Sequence, residues 1–196
     1  MKLLDYSLLK KIIVVAFLVF FAYSPPLKAE DWRSFHTKYL ILRYQADEDL
    51  IKFNRQIKFD TPSKGVFSFK KKSKGSGNVL FDGIQKKMDS LFEKVQLILD
   101  MRKPFPKVWV NIYPNEDALH QAYFKIYKKK KKLRAWYIYE YNIIYVNVKD
   151  LFAGMLAHEI AHAVVDHYLS VRPPRASAEI LARYVDKHLY EAPKVY

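Results

Sequence analysis

His158-Glu159-Ile160-Ala161-His162 lies inside Leu151 to Leu169, a run with helical periodicity and neither Gly nor Pro after Gly154. Residues four apart share one face of a helix, so the two imidazoles point at one spot. Two imidazole nitrogens so placed suit a zinc ion held at about 2.0–2.1 Å from each. Glu159 sits beside that spot, where its carboxylate can take a proton from a zinc-activated water. Two surface histidines flanking a glutamate on an ordinary helix would give the same letters. What separates the two readings is the sequence that follows.

A catalytic zinc usually has three protein ligands and one open position, so a third donor must come from elsewhere. Pro173 and Pro174 stop the first helix, because a proline pair cannot continue its hydrogen-bond ladder. From Ala176 a second helix begins, with Ile180, Leu181, Tyr184, Val185 and Leu189 recurring at three and four. A short connection favours antiparallel packing of two helices. Glu179, in the first turns of the second helix, can then fold back to the histidine pair. The helix macrodipole also favours any carboxylate at such a position, with or without a metal.

H-E-x-x-H, a proline-containing turn, and Ala178-Glu179-Ile180-Leu181-Ala182-Arg183-Tyr184 (A-E-x-L-A-x-Y) together resemble the gluzincin class of zinc metallopeptidases, the thermolysin-like group. The resemblance covers Trp136 to Leu189. It implies Zn2+ held by His158, His162 and Glu179, with Glu159 as general base in the hydrolysis of peptide bonds. It implies a zincin-like α+β fold: a small twisted mixed sheet packed on a long helix, an active-site helix and a following glutamate helix. In such enzymes the strand before the active helix takes up an extended peptide substrate by strand addition. That role falls to Trp136–Val148, whose Tyr137, Tyr139, Tyr141 and Tyr145 alternate and so are expected on one face.

The chain departs from the pattern at one position. The family often carries an Asp one turn after the ligand Glu; here that residue is Arg183. A metal-bound His normally donates its free N–H to a carboxylate. Asp166, one turn after His162, is the first candidate for that partner and Asp186 the second. Tyr184, His188 and His167 are the candidates for a further oxyanion donor, though none has ligand spacing.

Residues 1–29 read as a signal peptide. Lys10 and Lys11 precede an apolar stretch, Ile12 to Ala22, and Ser24-Pro25-Pro26 breaks it ahead of cleavage after Ala29. The stretch is short for a membrane span, though uncleaved it would serve as an anchor. The expected address is periplasmic or extracellular, with residues 30–196 forming one metallopeptidase domain. There is no Cys, which removes disulfides, thiolate nucleophiles and thiolate zinc ligands together. No G-x-S-x-G elbow supports Ser-His-Asp chemistry.

The formal net charge is +14, and much of it sits in two lysine runs, 70–74 and 128–132. Such blocks often mark solvated segments. A nucleic-acid groove calls for arginines and aromatics interleaved with the lysines. Lysine runs on an exported chain point instead to an anionic envelope polymer or a membrane surface. Two other readings stay open. One is a catalytically degenerate zinc-binding domain that meets the envelope through its lysines. The other is a small basic, toxin-like protein with an accidental motif.

Elsewhere, Tyr39–Tyr44 and Val108–Tyr113 read as strands, and Val66–Phe69 as a short one. Asn78–Met101 is a long helix by its 3.6-residue period, ended by Pro104 and Pro106. Glu48–Lys58 is a charged helix or a linker. Glu116–Tyr127 is a helix with Asn115 as N-cap. Ala135–Val148 is the longest strand-like stretch, with a turn or bulge near Asn142.

Overall fold

The computed structural model describes residues 31–59, 79–104 and 106–191. The signal segment 1–29, the strand expected at Val66–Phe69 and the lysine run 70–74 lie outside them. Among the described residues the elements run β1 (Arg33–His36), β2 (Leu40–Tyr44), α1 (Asp47–Gln56), α2 (Val79–Leu99), β3 (Val108–Tyr113), α3 (Glu116–Tyr127), β4 (Ala135–Ile138), β5 (Ile143–Asn147), α4 (Ala153–Tyr168) and α5 (Arg175–His188). The fold is mixed α/β.

The five strands form one sheet in the order β1-β2-β3-β5-β4. The central pairs β2/β3 and β3/β5 are parallel, and the outer pairs β1/β2 and β5/β4 are antiparallel. Alternation along β3 explains the two faces. Val108, Val110 and Ile112 join the main core with Leu40, Leu42, Ile144 and Val146. Tyr113 turns the other way, into a smaller cluster with Tyr145, Trp136 and Leu119 of α3. The main core is closed by side chains of α1, α2, α4 and α5.

Helix α2 buries Ile84, Met88, Leu91, Phe92 and Val95, the stripe its period announces. It ends before either proline. Asp100 takes a left-handed conformation, φ 52°, and the Met101 N–H bonds back to the Gln96 carbonyl at 3.0 Å. That is a Schellman cap with Asp in the place usually given to Gly. Asn115 caps α3 as its position suggests, its side chain accepting from the Ala118 N–H at 2.9 Å.

The strand-like stretch expected to carry a turn or bulge near Asn142 reverses completely there, as a hairpin. A short 3₁₀ turn, Tyr139–Tyr141, leads to Asn142 at φ 51°, and the chain returns as β5. Asn tolerates the left-handed region better than other side chains, which is why the reversal falls there. The reversal also overturns the single tyrosine face. Tyr137 packs toward the main core, while Tyr145 lies on the opposite side of the sheet, stacked on Trp136 at 4.6 Å. Tyr139 and Tyr141 sit in the turn and are exposed.

Candidate metal centre

Helix α4 is covered on most sides. Leu156, Ile160 and Val164 enter the core, and Ala153, Ala157 and Ala161 let neighbouring elements approach closely. Burying each of the three larger side chains contributes about 1.5–3 kcal/mol. On the side that meets α5, His158 and His162 emerge half-buried. Ala178, Ala182 and Val185 of α5 are its buried residues, seating that helix alongside α4. Glu179 reaches His162, while Asp186, two turns later, reaches His158. The two helices therefore run antiparallel.

His158, His162 and Glu179 converge. Their nearest donor atoms lie within 4.8 Å of one another. The Nε2 atoms of the two histidines are 3.2 Å apart. Glu179 Oε2 is 3.5 Å from His162 Nε2, and Oε1 is 3.7 Å from His158 Nε2. Two ligands about 2.0–2.1 Å from a tetrahedral ion are separated by about 3.4 Å. The donor set therefore fits a zinc-sized ion in type and in spacing, and this cluster could hold a metal.

His158 Nδ1 lies 3.0 Å from Asp186 Oδ2. With Nδ1 turned to Asp186, Nε2 of His158 faces Glu179 and His162. This is the carboxylate–histidine arrangement that orients a metal-binding imidazole. The partner is thus Asp186 rather than Asp166. Asp166 is turned away and buried against Arg172, whose Nε is 3.4 Å from Oδ2. Asp186 is legible in hindsight, because seven residues after Glu179 is two turns along the same face.

Burial, reinforced by His158, lowers the pKa of His162 to about 4, so its imidazole is neutral at physiological pH. Burial alone would raise Glu179, but His158, a bond from Arg183 and His162 outweigh it, and its pKa is lowered. The Arg183 Nε stands 3.2 Å from Glu179 Oε1, so the residue that departs from the family pattern touches the third donor.

Glu159 is 8 % exposed. Burial first, then Glu179 and Asp186, push its pKa up to about 8; a hydrogen bond from the Tyr137 backbone N–H works the other way. That N–H belongs to β4, the strand at the end of the sheet. No side-chain pattern announces a backbone donor, so this partner of Glu159 was not legible in the sequence.

The other candidates are engaged elsewhere. His188 Nδ1 is 2.6 Å from Glu191, and the Tyr184 ring packs against His188 at a tilt of 43°. His167 Nε2 lies 3.4 Å from the Tyr137 hydroxyl, which also donates to Asn142 Oδ1 at 3.3 Å.

No family model matches this chain, and neither the curated proteins nor the solved structures contain a match to it.

The Asp186 contact carries an expected result. If the cluster holds zinc, Asp186→Ala is expected to weaken that binding by about 10- to 100-fold, the usual effect of losing a carboxylate behind a ligand His. Asp166→Ala leaves zinc affinity within about two-fold, because its carboxylate meets neither ring nitrogen of the pair. Competition against a chromogenic chelator measures both. Equal losses in the two variants would contradict the assignment.

Proposed function

We propose that this protein is a zinc-dependent peptidase of the gluzincin type with a zincin-like fold. The observation that carries the reading is the convergence of His158, His162 and Glu179 at tetrahedral spacing, with Glu159 next in sequence and buried. A zinc ion held there would acidify a water and polarise the carbonyl of a peptide bond.

The chain's own residues supply the rest. Asp186 fixes the His158 ring through Nδ1. Glu159 accepts a proton at its carboxylate as the carbonyl is attacked and returns it to the departing amine. For that it must be ionised. A dication beside it opposes the effect of Glu179 and Asp186 and lowers its pKa from the metal-free value. Among the described residues β4 pairs with a strand on one side only, and the Tyr137 N–H that bonds Glu159 belongs to it, so an extended peptide added along its outer side would lie beside the proposed base. Main-chain pairing of this kind gives affinity with little dependence on sequence.

A purely structural zinc site has its fourth position filled by protein and has no use for a buried carboxylate at its edge. Glu159 therefore favours hydrolysis over the degenerate-domain reading. The test is cleavage of an unfolded protein substrate by the purified chain. Activity is expected to vanish on treatment with a zinc chelator and to return on adding zinc. Cleavage indifferent to chelation would rule the reading out.

A further inference from the structure

The C-terminal half of α3 and the lysines after it present an unusual surface. Lys125 and Lys128–Lys132 are all exposed. Among them stand large apolar side chains that the fold covers only in part: Phe124 is 46 % exposed, Tyr127, which packs on Tyr123, 41 % and Ile126 37 %. Tyr141, 61 % exposed, sits on the hairpin turn close enough to Tyr127 to influence its ionisation. Phe124, Tyr127 and Lys128 are spaced at three and four, so they share one face. Lys128 then takes a left-handed conformation, φ 54°, which ends the helix and swings the remaining lysines away from its axis. Beside them lies a cleft of about 670 Å³ lined by Phe124, His120, Lys125 and Lys130–Lys132, with Asp117 as its one acidic residue.

We infer that this surface docks on an anionic lipid bilayer. Solvation alone explains lysines but leaves the aromatic side chains among them without a reason. A soluble polyanion would engage the lysines and gain little from Phe124. An anionic bilayer uses both: phosphates and acidic headgroups attract the lysines, and the headgroup–acyl boundary takes up Phe124 and Tyr127. Lysine stems can lie along the apolar layer while their ammonium groups stay in water. No helix among the described residues is long and apolar enough to cross a membrane, so this contact lies in the plane of the interface. The proposal is independent of the peptidase reading.

The test is co-sedimentation of the full chain with phosphatidylcholine vesicles, with and without phosphatidylglycerol. Partition through the apolar stretch Ile12–Ala22 and the neighbouring Lys10 and Lys11 is common to the wild type and the variants, so it cancels in the comparison between them. The wild type is expected to favour the anionic vesicles by about ten-fold or more, with the preference shrinking as salt rises. Lys129→Glu, Lys130→Glu and Lys131→Glu together should cut binding to anionic vesicles on the order of a hundred-fold. Phe124→Ser with Tyr127→Ser should weaken the same binding while leaving its salt dependence unchanged. All these positions are exposed, and circular dichroism confirms that each variant is folded. Equal binding to both vesicle types, or unchanged binding in both variants, would overturn the proposal. So would binding of inorganic polyphosphate in solution without binding to vesicles.

Discussion

If the proposed function holds, Glu159→Gln is expected to keep zinc at the wild-type stoichiometry and to lower peptide hydrolysis by about a hundred- to ten-thousand-fold, the range a positioned general base contributes. The substitution preserves shape, and the amide oxygen can still accept from the Tyr137 backbone N–H. What it removes is the ability to take a proton. It also removes a carboxyl that burial, Glu179 and Asp186 already disfavour as an anion. The variant should therefore be no less stable than the wild type, and lost activity cannot be put down to unfolding. Zinc content and hydrolysis rate, measured on one preparation, decide the matter. Turnover near the wild-type rate would mean that Glu159 is not the base.

Removing a ligand has the opposite signature. His162→Ala or Glu179→Ala is expected to weaken zinc binding by about 3–4 kcal/mol, a factor of several hundred, if the free energy of a four-ligand zinc site divides evenly among its ligands. Activity at limiting zinc falls with it and is partly restored by excess metal. Arg183→Ala is the contrast. Its guanidinium contacts Glu179 but is itself exposed, and exposed ion pairs contribute little, so zinc binding should change by less than about ten-fold. Isothermal titration of zinc into the metal-free proteins measures the series. A Glu179→Ala variant that binds zinc like the wild type would remove α5 from the centre.

The convergence of His158, His162 and Glu179 was legible because it depends on local geometry. H-E-x-x-H needs only helical geometry to bring two imidazoles together, and the Pro173-Pro174 turn needs only short reach to return Glu179 to them. The helical stripe of α2 and the Asn115 cap were legible for the same reason, since both depend on neighbours within one or two turns. The features that escaped depend on distant parts of the chain. β1 is a short polar edge strand, Arg33–His36, with no alternation to mark it, and it exists because Leu42 and Ile41 lie opposite to pair with it. A turn or bulge near Asn142 was marked in the sequence, but a full reversal there was not, so side-chain parity carried across it gave the wrong face for Tyr145. Asp166 looked the better partner for a histidine because it is closer in sequence. Arg172 claims it, and the antiparallel register of α4 and α5 delivers Asp186 to His158 instead. Sequence distance stood in for spatial distance, and across a helix pair the two diverge.

The central claim is that His158, His162 and Glu179 hold one zinc ion. X-ray absorption at the zinc edge, on the full chain loaded with zinc and dialysed, tests it most directly. The account predicts one zinc per chain, two imidazole nitrogens at about 2.0–2.1 Å and oxygen ligands at about 2.0–2.2 Å. Zinc that dialyses away, or a bound zinc whose spectrum lacks imidazole scattering, would contradict it.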